Sequence, residues 1–140
     1  MNKMDNTKRM ELILERLREY WEWQDPHSLS GLTRSQLSLL LALSEYPGCR
    51  VQDTARRLDL TAPTISIGVR RLEKMGLVER AADPTDQRAV CLYLSARGRR
   101  VAAKARAVRA QKLNVMLGVL TPEEQESLLT LLEKAVPEAD

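Results

Sequence analysis

Between Thr61 and Gly76 the sequence TAPTISIGVRRLEKMG permits little except one short helix with two unlike faces. Thr61 is a natural N-cap, and Pro63 is tolerated in the first turn, where its missing N–H would have had no partner. Ile65, Val69 and Leu72 recur at i, i+4 and i+7, an apolar stripe that needs a core to face. Gly76 supplies the stop. Thr64, Ser66, Ile67, Arg70, Arg71 and Lys74 are left on the other faces. Gly68 falls on the inward side, three residues after Ile65 and four before Leu72. A glycine there costs about 1 kcal/mol relative to alanine, so a close neighbour is expected beneath it.

What flanks this helix narrows the fold. Upstream, VQDTARRLDL places Ala55 and Leu58 on a short helix from about Gln52 to Leu58, after which DLT turns; two short helices joined in this way read as a helix-turn-helix. Downstream, LVERA and AVCLYLS are short apolar-alternating runs separated by a polar knot, which reads as a hairpin. A helix-turn-helix followed at once by a hairpin is a winged helix. The knot, DPTDQR, holds Asp83 and Pro84 as turn formers. Asp86, two residues before Arg88, is expected to accept from its guanidinium and hold it extended.

The ends of the chain are helical. Met10, Ile13, Leu14, Leu17, Tyr20 and Trp21 give an amphipathic helix over Lys8–Trp23, broken beyond by Pro26 and Gly31. Thr33 and Gln36 have capping-box spacing ahead of a leucine-dense run, so that helix is expected to be buried on more than one side until Pro47 and Gly48 stop it. Ser95 caps a long helix rich in Ala and Arg. Thr121, Pro122 and Glu124 open a last helix with an apolar face of Leu128, Leu129, Leu131 and Leu132. The fold class predicted is mainly α with a small β hairpin (α+β). It divides into an N-terminal helix and linker over residues 1–32, a winged helix-turn-helix over 33–98, and C-terminal helices over 99–140.

Charge is segregated. Residues 50 to 109 hold 14 Lys and Arg against 6 Asp and Glu, whereas the rest hold 8 against 13. The basic middle coincides with the winged helix, the electrostatic footprint of a polyanion binder. Arginine can bond guanine O6 and N7 bidentately, Thr and Ser can reach bases or phosphates, and an apolar side chain can touch a thymine methyl. The free amides around Thr61 and Thr64 suit a phosphate. Other classes lack their chemistry. With His27 the one histidine, no CxxC, no phosphate loop and no triad order, neither an enzyme nor a metal site is signalled, and no cofactor is implied. No apolar run approaches a membrane span and MNKMDNTKRMEL lacks a signal peptide's apolar region, so no membrane partner and a cytoplasmic location are expected.

These residues resemble one family, the multiple-antibiotic-resistance regulators, MarR, along nearly the whole chain. DQRAVCLYLSARG is similar to the family's wing signature, with Asp86, Arg88, Leu94, Ser95 and Gly98 in its positions. LTAPTISIGVRRLEKMGLV is similar to its recognition helix, matching at Pro63, Thr64, Ser66, Leu72 and Gly76. Where the family often has Arg after the recognition-helix serine, this chain has Ile67. The resemblance implies a homodimeric repressor whose terminal helices interlock and whose paired winged helices read double-stranded DNA at a pseudo-palindromic operator. Half-sites would lie roughly 34 Å apart. It also implies release by a small aromatic or anionic ligand, for which Arg16, Tyr20, Trp23 and His27 are candidates. Redox sensing through Cys49 or Cys91 is an alternative, as is a winged-helix module that grips protein.

Overall fold

The structure is a computed structural model that describes residues 4–23 and 31–138. Its elements run α1 (Asn6–Trp23), α2 (Arg34–Glu45), α3 (Val51–Leu58), α4 (Ala62–Lys74), β1 (Val78–Ala82), β2 (Val90–Leu94), α5 (Ala96–Gly118) and α6 (Pro122–Ala135). The order is the one read from the sequence. Among the described residues no helix is long and apolar enough to cross a membrane.

The chain forms two compact units that meet between Ala105 and Arg106, inside α5. In the first, Leu37, Leu39, Leu40 and Leu43 of α2 meet Ile65, Val69 and Leu72 of α4, Ala55 of α3 and Leu92 and Leu94 of β2. Leu40, Leu43, Ile65, Leu72 and Leu92 are fully buried, each contributing about 1.5–3 kcal/mol. Burial of Leu37, Leu39 and Leu40 together confirms that α2 is covered on more than one side. The helix termini follow their caps. Thr33 and Gln36 exchange hydrogen bonds as a capping box, Thr61 accepts from the Thr64 amide, and Thr121 and Glu124 form a second box.

The turn of the helix-turn-helix is made by Asp59, which adopts the left-handed region at φ 53°. Aspartate tolerates this conformation better than most side chains. The Leu60 amide then closes back on the Ala55 carbonyl at 2.9 Å, ending α3.

Beneath Gly68, a Cβ would lie 2.8 Å from Leu39 Cδ2, so the expected close neighbour is the Leu39 side chain of α2. Gly98 is tighter still: a Cβ there would run into the Leu77 carbonyl oxygen. Ser95, three residues earlier, donates to the Gly76 carbonyl at 2.6 Å and accepts from the Gly98 amide at 3.0 Å. The Ser–x–x–Gly of the wing signature is thus a weld. It fixes the start of α5 against the end of α4.

The hairpin departs from simple alternation. β1 and β2 pair antiparallel from Val78↔Leu94 to Ala82↔Val90, but Cys91 and Leu92 are both buried. Leu92 joins the core and forms a bridge with Cys49, whereas the Cys91 thiol lies 3.7 Å from Asp83 Oδ2. Both sides of β2 are therefore covered at this point.

In the second unit α6 has no buried residue: Leu128, Leu129, Leu131 and Leu132 are all exposed. Along α1, Met10, Ile13, Leu14 and Leu17 are exposed as well.

Candidate nucleic-acid interface

On α4, burying Ile65, Val69 and Leu72 turns Thr64, Ile67, Arg71 and Lys74 outward in one row at i, i+3, i+7 and i+10, with Arg70 beside it. All five are exposed, while Ser66 is half-buried on the shoulder. At the helix start the Thr61 and Thr64 hydroxyls lie 2.8 Å apart and the cap accepts the Thr64 amide at 3.3 Å. Thr64 therefore holds its hydroxyl toward the cap.

The wing loop is organised by Asp83. Its Oδ1 accepts from the Thr85 amide and hydroxyl, both at 2.8 Å, and from the Asp86 amide at 3.3 Å. Its Oδ2 receives Arg50 through Nε at 3.1 Å and Nη2 at 2.5 Å. The Thr85 amide, then the Arg50 guanidinium and the Thr85 hydroxyl, hold the Asp83 carboxyl well below the usual carboxylate range. Arg50 is raised in turn by its bond to Asp83. Asp83 is thus a turn former, as expected, and also the anchor of the wing to the N-terminus of α3.

Asp86 requires a correction. Its Oδ1 accepts the backbone N–H of Arg88 at 3.0 Å, not the guanidinium. Two residues apart in a tight turn, the amide is nearer to the carboxylate than the end of a long side chain, so an Asx-type turn wins. Asp86 shapes the loop that carries Arg88 and leaves the guanidinium unengaged.

The basic residues from Arg50 to Arg99 fall into two sets. Arg50 pairs with Asp83, Arg56 with Asp53 and Arg80 with Glu73; Arg57 stacks over the Tyr46 ring; Arg97 and Arg99 donate to the carbonyls of Met75 and Leu94. Among the described residues, the side chains of Arg70, Arg71, Lys74 and Arg88 make no ion pair or hydrogen bond. Cations used for structure are paired, and those on the outward face of α4 and the wing tip are not. Sequence reasoning missed Arg50 and the Arg80–Glu73 pair that ties β1 to α4. Spacing carries no signal for either, since Arg50 and Asp83 are 33 residues apart.

The remaining candidates are less gathered. Arg16 and Tyr20 share a face of α1 one turn apart, and Trp23 lies in its last turn. His27 lies outside the described residues. Burial, then the adjacent Asp83, pushes the Cys91 thiol up, which lowers its thiolate content at neutral pH. Cys49 Sγ sits 3.1 Å from the Thr54 hydroxyl.

Comparison with known proteins agrees with this geometry. A model of the MarR family matches residues 30–89. The transcriptional regulator HosA of Escherichia coli is 32% identical over 112 residues, covering 80% of this chain and 82% of HosA. The HTH-type transcriptional repressor Rv2887 of Mycobacterium tuberculosis is 34% identical over 105 residues, covering 74% of this chain and 75% of the repressor. Among solved structures, FabT of Streptococcus pneumoniae in complex with DNA superposes with a TM-score of 0.83 over 94% of each chain. At 17% identity that likeness speaks for the fold. The identity with HosA and Rv2887 extends across most of the sequence, and the chain belongs to the MarR family of DNA-binding transcriptional regulators, which are not enzymes.

Proposed function

We propose that the chain acts as a homodimeric repressor that occupies a pseudo-palindromic operator, with α4 of each copy in a major groove and Arg88 in the flanking minor groove. The observation that carries this reading is the set of unpaired cations, Arg70, Arg71, Lys74 and Arg88, on α4 and the wing tip, whereas Arg50, Arg56, Arg57, Arg80, Arg97 and Arg99 of the same lobe are engaged. An unpaired cation facing solvent gains most from a phosphate or a guanine edge. Arg70 and Arg71 are assigned to base edges or phosphates, and Lys74 to the backbone. Thr61, Thr64 and Ser66 serve the first turn, Ile67 serves an apolar contact, and Asp86 holds the loop that presents Arg88. Narrow A·T-rich minor grooves attract arginine, which suits a cation at a wing tip.

The division of labour assigns residues 33–98 to DNA and residues 1–32 and 99–140 to the dimer. Exposed apolar faces on α1 and α6 support this, because a second copy is the partner always present at matching concentration. Release of DNA is assigned to a small aromatic or anionic ligand at Arg16 and Tyr20 of α1, together with Trp23 and His27. A buried thiol pushed upward makes Cys91 a poor oxidant sensor, which favours the ligand over the redox alternative.

The test is fluorescence anisotropy on an operator recovered by selection from genomic fragments, at several salt concentrations. Log affinity is expected to fall linearly with log salt, and Arg71→Ala and Lys74→Ala to flatten that slope. Affinity that ignores salt would favour a protein-gripping module.

A further inference from the structure

Ile67 is out of keeping with its surroundings. It is 49% exposed in the middle of the outward row of α4, between Thr64 and Arg71, with Arg70 and Lys74 alongside. Leu60, at the turn before the helix, is 50% exposed. Both line one groove of about 520 Å³ between α2 and α4, whose floor includes Leu39 and Gly68. At Gly68 the Leu39 side chain takes up the space a Cβ would need, so the two residues form the floor together. Thr64 lines the groove as well, and its hydroxyl is turned to Thr61. A face otherwise made of cations and hydroxyls thus carries a half-exposed branched alkyl group where a polar side chain would cost nothing in folding.

We infer that Ile67 reads a thymine through its C5-methyl group, with Leu60 closing the same groove from the turn, so that each operator half-site carries a required A·T pair at this position. The inference rests on the reading of α4 as the major-groove helix. The cations around the groove suit a polyanion, and duplex DNA is the polyanion whose major-groove edge presents isolated methyl groups. Isoleucine has no donor or acceptor, so it cannot discriminate bases by hydrogen bonding. The methyl is what it can recognise. Burying one methyl group changes an equilibrium by about fourfold, hence about fifteenfold when both half-sites of a dimer lose it.

The experiment removes only the methyl. In the selected operator each thymine is replaced in turn, symmetrically in both half-sites, by deoxyuridine, and affinity is measured by anisotropy for the wild type, Ile67→Ala and Leu60→Ala. One symmetric position is expected to weaken wild-type binding about fifteenfold. That penalty should shrink towards unity in Ile67→Ala and fall in part in Leu60→Ala, with melting temperatures unchanged because both side chains are half-exposed. A wild type indifferent to methyl removal at every thymine overturns the inference, as does a penalty that persists undiminished in Ile67→Ala. The salt slope of the wild type on the unmodified operator separates the two readings: salt-dependent binding with no methyl effect removes this inference alone, and salt-independent binding removes the role of α4 itself.

Discussion

The winged-helix lobe and the terminal helices spend their leucines in opposite ways. In the lobe, Leu40, Leu43 and Leu92 are wholly buried against one another's elements, so α2 to β2 close a core within one chain. On α6, Leu131 is 63% exposed, and on α1, Leu14 is 54% exposed. The lobe is complete as it stands, whereas the terminal helices present apolar faces that water penalises. A reader of DNA needs both properties. A rigid lobe holds side chains in register with base edges, and an unsatisfied face lets two lobes be set at a fixed spacing.

The largest break in this contrast should come from the terminal helices. Leu131→Glu with Leu132→Glu is expected to convert dimer to monomer in sedimentation and to weaken operator binding about a hundredfold or more, since two linked half-sites gain that much from one another. Circular dichroism should show the helices of the lobe intact. Within the lobe, Arg88→Ala should weaken binding by about tenfold to a hundredfold with no change in melting, and Asp86→Ala by less, because it loosens the loop and leaves the cation in place. Tighter binding by Asp86→Ala would contradict the loop-shaping role. Gly98→Ala acts on the fold: its methyl meets the Leu77 carbonyl, and a loss of about 1–3 kcal/mol in denaturant unfolding is expected.

The smallest effect should be that of pH on the wing anchor. Asp83 titrates below its ordinary value in the folded chain, so its contribution is complete above about pH 4 and is lost only as pH falls through the depressed value. Operator binding by the wild type should therefore show no step from Asp83 between about pH 5 and 8. Arg50→Ala should lower operator affinity modestly across that whole range, and a loss confined to one end of it would point to another group.

Local features were legible in the sequence because their causes are local. Thr33, Thr61 and Thr121 announce helix starts by capping chemistry, and the Ile65, Val69, Leu72 stripe fixes which face of α4 is free. The close neighbour under Gly68 could be inferred from an inward glycine, although not that Leu39 supplies it. Contacts made across the fold were not legible. Arg50–Asp83 and Arg80–Glu73 join elements whose separation in sequence obeys no period, and the choice of Asp86 between an amide and a guanidinium is settled by loop geometry. Burial of Cys91 is the common fate of an unpaired cysteine, but that Asp83 covers it, so that alternation along β2 gives way, was not legible.

The central claim is that a self-contained lobe reads DNA only as one of a pair. Sedimentation of the complex on the selected operator tests it most directly, by counting chains per duplex for the wild type and for the Leu131→Glu, Leu132→Glu variant. Two chains binding in a single step for the wild type, and weak one-at-a-time binding for the variant, are the results expected. A single wild-type chain saturating the full operator at undiminished affinity would contradict the claim.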